Sequence, residues 1–106
     1  MDVFQALADP NRRNIVSQLK DNYELSISEI NQKHHISRQA LTKHLNKLVV
    51  AGIIIKRKQG KTSLHSLNPQ PLKVVADWLQ PYATLWDQRL ENLKEFTELQ
   101  QQQNHE

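Results

Sequence analysis

The stretch from Ser26 to Ile54, SISEINQKHHISRQALTKHLNKLVVAGII, decides the fold. It opens with Ser26 and Glu29 at the spacing of a capping box, in which a hydroxyl and a carboxylate each satisfy a free N–H at a helix start. Ile27 and Ile30 give the short helix that follows an apolar side to bury, and it is expected to stop near Lys33. His34-His35-Ile36 is then only a tight connector before Ser37, the next capping acceptor, and Ile36 can staple onto Leu41. In the helix from Ser37, Leu41, Leu45 and Leu48 share one stripe, and Gly52 supplies the left-handed residue that helix ends favour. Two helices joined this closely form a helix-turn-helix.

On the N-terminal side, Phe4, Leu7 and Ala8 predict a first helix ending near Ala8, and Asp9-Pro10 offers a cap and a first-turn proline for the next. That second helix puts Ile15, Val16 and Leu19 on one face and Arg12, Arg13, Gln18 and Lys20 around the rest, and runs to about Lys20. On the C-terminal side, IIIKRK and KTSLHSL are β-prone runs joined across Gln59-Gly60, which predicts a hairpin. Asn68-Pro69 and Pro71 then open a long helix with Leu72, Val75, Leu79, Tyr82, Trp86, Leu90, Leu93 and Phe96 at intervals of three and four. Pro81 inside it predicts a kink or break between Leu79 and Tyr82. The fold class is therefore mainly α with a small β-hairpin, in the order four helices, two strands, one helix. One domain over residues 1–99 is expected, followed by a disordered polar tail, 100–106.

At 106 residues and 6% aromatic content the chain has little apolar surface for a large core, so part of it is expected to be buried against a second copy. The last helix carries more stripe than one small core can cover, which predicts a homodimer held by the first and last helices: Phe4, Leu79, Tyr82, Trp86, Leu90 and Leu93. No apolar run reaches the roughly 18 residues of a membrane span and no secretory leader is recognisable, so the expectation is a cytoplasmic protein with no membrane contact.

Charge is segregated. Between Ile30 and Ala76 there are nine lysines and arginines and no Asp or Glu, so the flanks are net acidic although the whole chain is +3. Solvated faces normally interleave both signs, and an acid-free one suits a polyanion. On the helix after Ser37, Gln39, Thr42, Lys43 and Asn46 gather opposite the leucines, with Arg38 between the two faces. Amides and cations are the groups that hydrogen-bond base edges in a major groove, which predicts double-stranded DNA as partner and residues of about 37–51 as the reading helix. Lys56, Arg57, Lys58 and Lys61 crowd the hairpin tip, about 56–62, a basic finger for the backbone or minor groove. The competing reading is a protein-docking module that uses the last helix and no DNA.

Catalysis finds no foothold: there is no cysteine, Gly-rich phosphate loop or G-x-S-x-G, so no enzyme and no catalytic residue is expected. Adjacent histidines such as His34-His35 project in different directions, and no carboxylate lies in the acid-free segment to complete a site. No metal or other cofactor is therefore expected. His44 flanks the leucine stripe, suited to packing or to a phosphate, and His65 is expected to be a half-buried sheet residue.

FQALADPNRRNIVSQL, the Ser26–Ile54 stretch and QGKTSLHSLNP with PLKVVADWLQPYATLWDQRLENLKEF together resemble the ArsR family of winged-helix repressors over about residues 3 to 97. The specific part is S-x-x-x-L-T-K-H-L-x-x-L followed by A-G-I, and the C-terminal W-L-x-x-Y-x-x-x-W-x-x-R-L resembles the SdpR-like branch. The resemblance implies a homodimeric winged helix-turn-helix that binds a pseudo-palindromic operator and represses transcription. It implies DNA contacts at Ser37, Arg38, Gln39, Thr42, Lys43 and His44, and a wing at Lys58, Gln59, Gly60 and Lys61. Two departures matter. His65 stands where relatives commonly have tyrosine, and the cysteines or Asp/His pair of metal-sensing members are missing, Asp77 being followed two residues on by Leu79. Whether an effector or protein partner releases the DNA is left open.

Overall fold

The structure, a computed structural model, describes the backbone of residues 1–103 and the side chains of residues 1–100. Its elements are α1 (Val3–Ala6), α2 (Pro10–Lys20), β1 (Leu25–Ser26), α3 (Ile27–Asn31), α4 (Arg38–Val50), β2 (Ile54–Gln59), β3 (Thr62–Leu67) and α5 (Gln70–Gln103). They fall into two compact units, Met1–Val75 and Ala76–Glu106.

Local capping chemistry sets most boundaries. The Asp9 carboxylate accepts from the N–H groups of Asn11 and Arg12, with Pro10 first in the helix. Ser26 and Glu29 close their capping box, and the Ser37 hydroxyl accepts from the Ala40 N–H at 3.1 Å. The α4 end is a Schellman motif: the Gly52 N–H donates to Val49 O and the Ile53 N–H to Leu48 O, with Gly52 at φ 79°. Leu48 and Ile53 are both fully buried, the apolar contact that accompanies this motif. The first helix stops at Ala6, two residues short of expectation, and starts from a second capping box between Asp2 and Gln5.

The core of the first unit joins Val3 and Ala6 of α1, Ile15 and Leu19 of α2, Ile30 of α3, the α4 leucines, and Ile53 and Ile54. Leu72 and Val75, at the start of α5, pack against it. Losing one such leucine to alanine costs about 2–5 kcal/mol, so the stripe that buries α4 also fixes which face it leaves outside.

Four expectations are corrected. The sheet has three antiparallel strands in the order β1-β3-β2, because the extended pair Leu25–Ser26 satisfies the other edge of β3 through Leu25↔His65 and Ser26↔Leu64. The turn is Gly60-Lys61, one residue later than the expected Gln59-Gly60, since Gln59 pairs with Thr62. Gly60 is at φ 63° and, among the described residues, no non-glycine residue has positive φ, so the glycine takes the first central position, as a type II′ turn requires. The break allowed for at Pro81 does not occur, the last helix being continuous there: one missing N–H in a long ladder does not end it. Helix α5 also continues through Gln103, into the segment expected as tail, whose remaining residues, 104–106, lie outside those described.

Candidate nucleic-acid interface

With Leu41, Leu45 and Leu48 inside, α4 exposes Arg38, Gln39, Lys43, Asn46 and Lys47, and Ser37 is exposed at its cap. Thr42 is half-buried, and its hydroxyl donates to Arg38 O at 2.9 Å, so its O–H proton is already used within the helix. The outward polar face of α4 is thus carried by Gln39, Lys43 and Asn46, with Arg38 beside the cap.

Lys58 and Lys61 are exposed on the hairpin. The basic finger holds one free cation fewer than expected, because Arg57 makes a bidentate ion pair with Glu24, its Nε and Nη2 donating at 2.7 and 2.6 Å. The hydrogen bond from Arg57 is the main cause that holds the Glu24 carboxyl below its ordinary range. The acid lies outside the acid-free segment, thirty-three residues back along the chain.

Arg38 and Lys61 line one depression of about 320 Å³ together with Ser26, Ile27, Ser28, Thr62 and Ser63. The start of α4 and the hairpin tip therefore share a surface furnished with two cations and four hydroxyls. Ser26, Ser28, Thr62 and Ser63 had no signal as site residues, since only tertiary packing brings them to Arg38.

Three histidines, His34, His44 and His65, are engaged inside the domain. His65 is 3% exposed, more buried than the half-buried expectation, and its Nδ1 lies 3.3 Å from Leu25 O. His34 Nε2 lies 2.9 Å from Gln18 Oε1. Burial is the main cause that lowers the pKa of both rings, supplemented at His34 by the charges of His35 and His44. His44 is half-buried, with Nδ1 3.3 Å from Arg12 Nη1. Arg12 itself, expected on the polar side of α2, is 7% exposed, because its guanidinium serves the carbonyls at the end of α1. Among the described residues no group of three or more His, Asp or Glu side chains is disposed to hold a metal.

The residues expected at the subunit contact lie on both units. Phe4 on α1 is 41% exposed. On α5, Tyr82, Trp86, Leu90 and Leu93 are exposed and Leu79 is half-buried. The rings of Trp78 and Tyr82 pack at 5.4 Å.

A helix-turn-helix followed by a basic hairpin, with both elements on one surface, defines a winged helix-turn-helix domain. A family model described as a helix-turn-helix domain matches residues 7–57. The chain is 34% identical to the HTH-type transcriptional regulator YuzN of Bacillus subtilis, over 74% of this chain and 92% of that protein. It is 30% identical to the transcriptional repressor SdpR of the same organism, over 84% of this chain and 98% of that protein. The solved structure of an ArsR-like transcriptional regulator from Rhodococcus sp. RHA1 is similar with a TM-score of 0.65 and 32% identity, over 89% of this chain and 88% of that one. The chain belongs to the ArsR family of winged helix-turn-helix transcriptional regulators.

Proposed function

We propose that the protein is a cytoplasmic, homodimeric repressor that binds a pseudo-palindromic operator, with α4 in the major groove and the wing on the backbone or minor groove. The observation that carries this is the depression shared by Arg38 and Lys61, since a cation from α4 and one from the wing lining the same depression suit a single polyanion. The likeness to a protein named as a repressor supports the sign of regulation. Ser37, Arg38, Gln39, Thr42 and Lys43 contact the DNA from α4, His44 contributes from the inner edge of that face, and Lys58 and Lys61 contact it from the wing. The second subunit docks through Phe4 and the apolar face of α5 formed by Leu79, Tyr82, Trp86, Leu90 and Leu93. No residue is assigned a catalytic role.

The test is to sequence the genomic fragments that the purified protein retains at moderate salt. The expected outcome is an enriched inverted repeat with half-sites about 34 Å apart, and a promoter carrying it should be less active when the protein is present. Retention of no particular fragment, with a protein captured through α5 in its place, would establish the docking module.

A further inference from the structure

Arg12 is the one buried lysine or arginine among the described residues, and it ties two functional elements together. Its Nε donates to Ala6 O at 2.6 Å and its Nη2 to Gln5 O at 3.3 Å. These carbonyls end α1, a helix of four residues, where the last C=O groups lack intrahelical partners. So short a helix is not stable alone; Arg12 satisfies Ala6 O and shares Gln5 O with the Ala8 N–H, while Arg13 Nη1 donates to Leu7 O at 2.8 Å. The remaining nitrogen, Nη1, lies 3.3 Å from Nδ1 of His44, in the middle of α4. A guanidinium can only donate, so His44 Nδ1 is the acceptor and the neutral ring carries its proton on Nε2. Asp9, the cap of the same turn of α2, supplies the nearby negative charge.

We propose that Arg12 is a positioning residue for DNA reading: it fixes the orientation and tautomer of His44 and locks α4 to α1, while touching no DNA itself. The inference rests on α4 being the reading helix. The fixed ring has a single donor left, Nε2–H, the kind of group a phosphate oxygen accepts from. The same guanidinium holds the end of α1 through Ala6 O and Gln5 O.

The experiment uses the full chain and compares Arg12→Gln, His44→Ala and the double variant for affinity on cognate and scrambled duplexes. Sedimentation mass and circular dichroism are followed in parallel. Each single variant should lose about tenfold on the cognate duplex, and the double variant should lose no more than the worse single one, because both remove the same link. Nitrogen NMR of the ring should report the Nε2–H tautomer in the wild type and a tautomer mixture in Arg12→Gln. Additive losses, unchanged cognate affinity in both singles, or a wild-type ring protonated on Nδ1 would overturn the role of Arg12. If Arg12→Gln does not fold, His44→Ala and the wild-type tautomer still decide. A wild-type protein with no duplex preference would overturn the reading of α4 itself.

Discussion

Arg57 and Glu24 clasp each other across thirty-three residues of sequence, and this one pair changes the electrostatics of the wing. A cation held bidentately by a carboxylate is largely neutralised, so Arg57→Gln should flatten the salt slope of DNA binding less than Lys58→Ala does. Glu24→Gln should have the opposite character. It releases Arg57, raises affinity for random DNA, and steepens the slope of log affinity against log salt by about 0.9 per newly neutralised phosphate. Anisotropy across a salt series measures both. A slope in Arg57→Gln as shallow as in Lys58→Ala would mean that the pair opens on DNA.

Acidification acts through two rings, the buried His65 and the half-buried His34. Burial lowers the pKa of His65 and His34, so the unfolded chain takes up protons that the folded one refuses. The stability contribution is complete above the unfolded value of about 6.5 and is lost as the pH falls from there through the folded values. Urea midpoints taken between about pH 8 and 5 should decline on the acid side. His65→Gln, which can still donate to Leu25 O, should flatten that decline; an unchanged pH profile in this variant would show that His65 is not its source.

Much of this structure was written locally. Caps at Asp9, Ser26 and Ser37 and the stop at Gly52 bond to groups a few residues away, so their spacing reveals them before any fold is known. The exposed positions Gln39 and Lys43 follow from the leucine stripe by helical geometry alone. What was hidden depends on tertiary neighbours. Arg12 looked like a surface residue because its carbonyl acceptors lie six and seven residues back and its histidine thirty-two ahead. Glu24 lies outside the acid-free segment, yet folding returns it to the wing. Leu25–Ser26 is too short to read as a strand without β3 beside it, and at Pro81 the helix does not break because one missing bond is tolerated within thirty-four helical residues.

The proposed subunit contact makes its own prediction. Trp86 and Leu93 leave large apolar surface exposed on α5, and burying side chains of this size against a partner is worth about 1.5–3 kcal/mol each. Trp86→Glu with Leu93→Glu should therefore give monomers by sedimentation, with the far-ultraviolet spectrum of the helices largely kept and operator binding weakened. A variant that sediments as a dimer would move the contact elsewhere.

Specificity and affinity should separate between helix and wing. Gln39 and Lys43 are exposed on the α4 face opposite the buried leucines, where side chains can reach base edges, whereas Lys58 and Lys61 sit on the hairpin. Gln39→Ala or Lys43→Ala should cost about 1–3 kcal/mol on the cognate site and relax preference at particular base pairs. Binding to random DNA should barely change. Lys58→Ala with Lys61→Ala should weaken cognate and random duplexes alike and flatten the salt slope by about 0.9 for each phosphate that each subunit no longer neutralises. Fluorescence anisotropy on cognate and scrambled duplexes over a salt series distinguishes the two patterns. Altered sequence preference in the wing variant alone would transfer the reading role from α4 to the hairpin. Indifference of all four positions on both duplexes would leave α5 as the functional surface and the protein-docking reading in force.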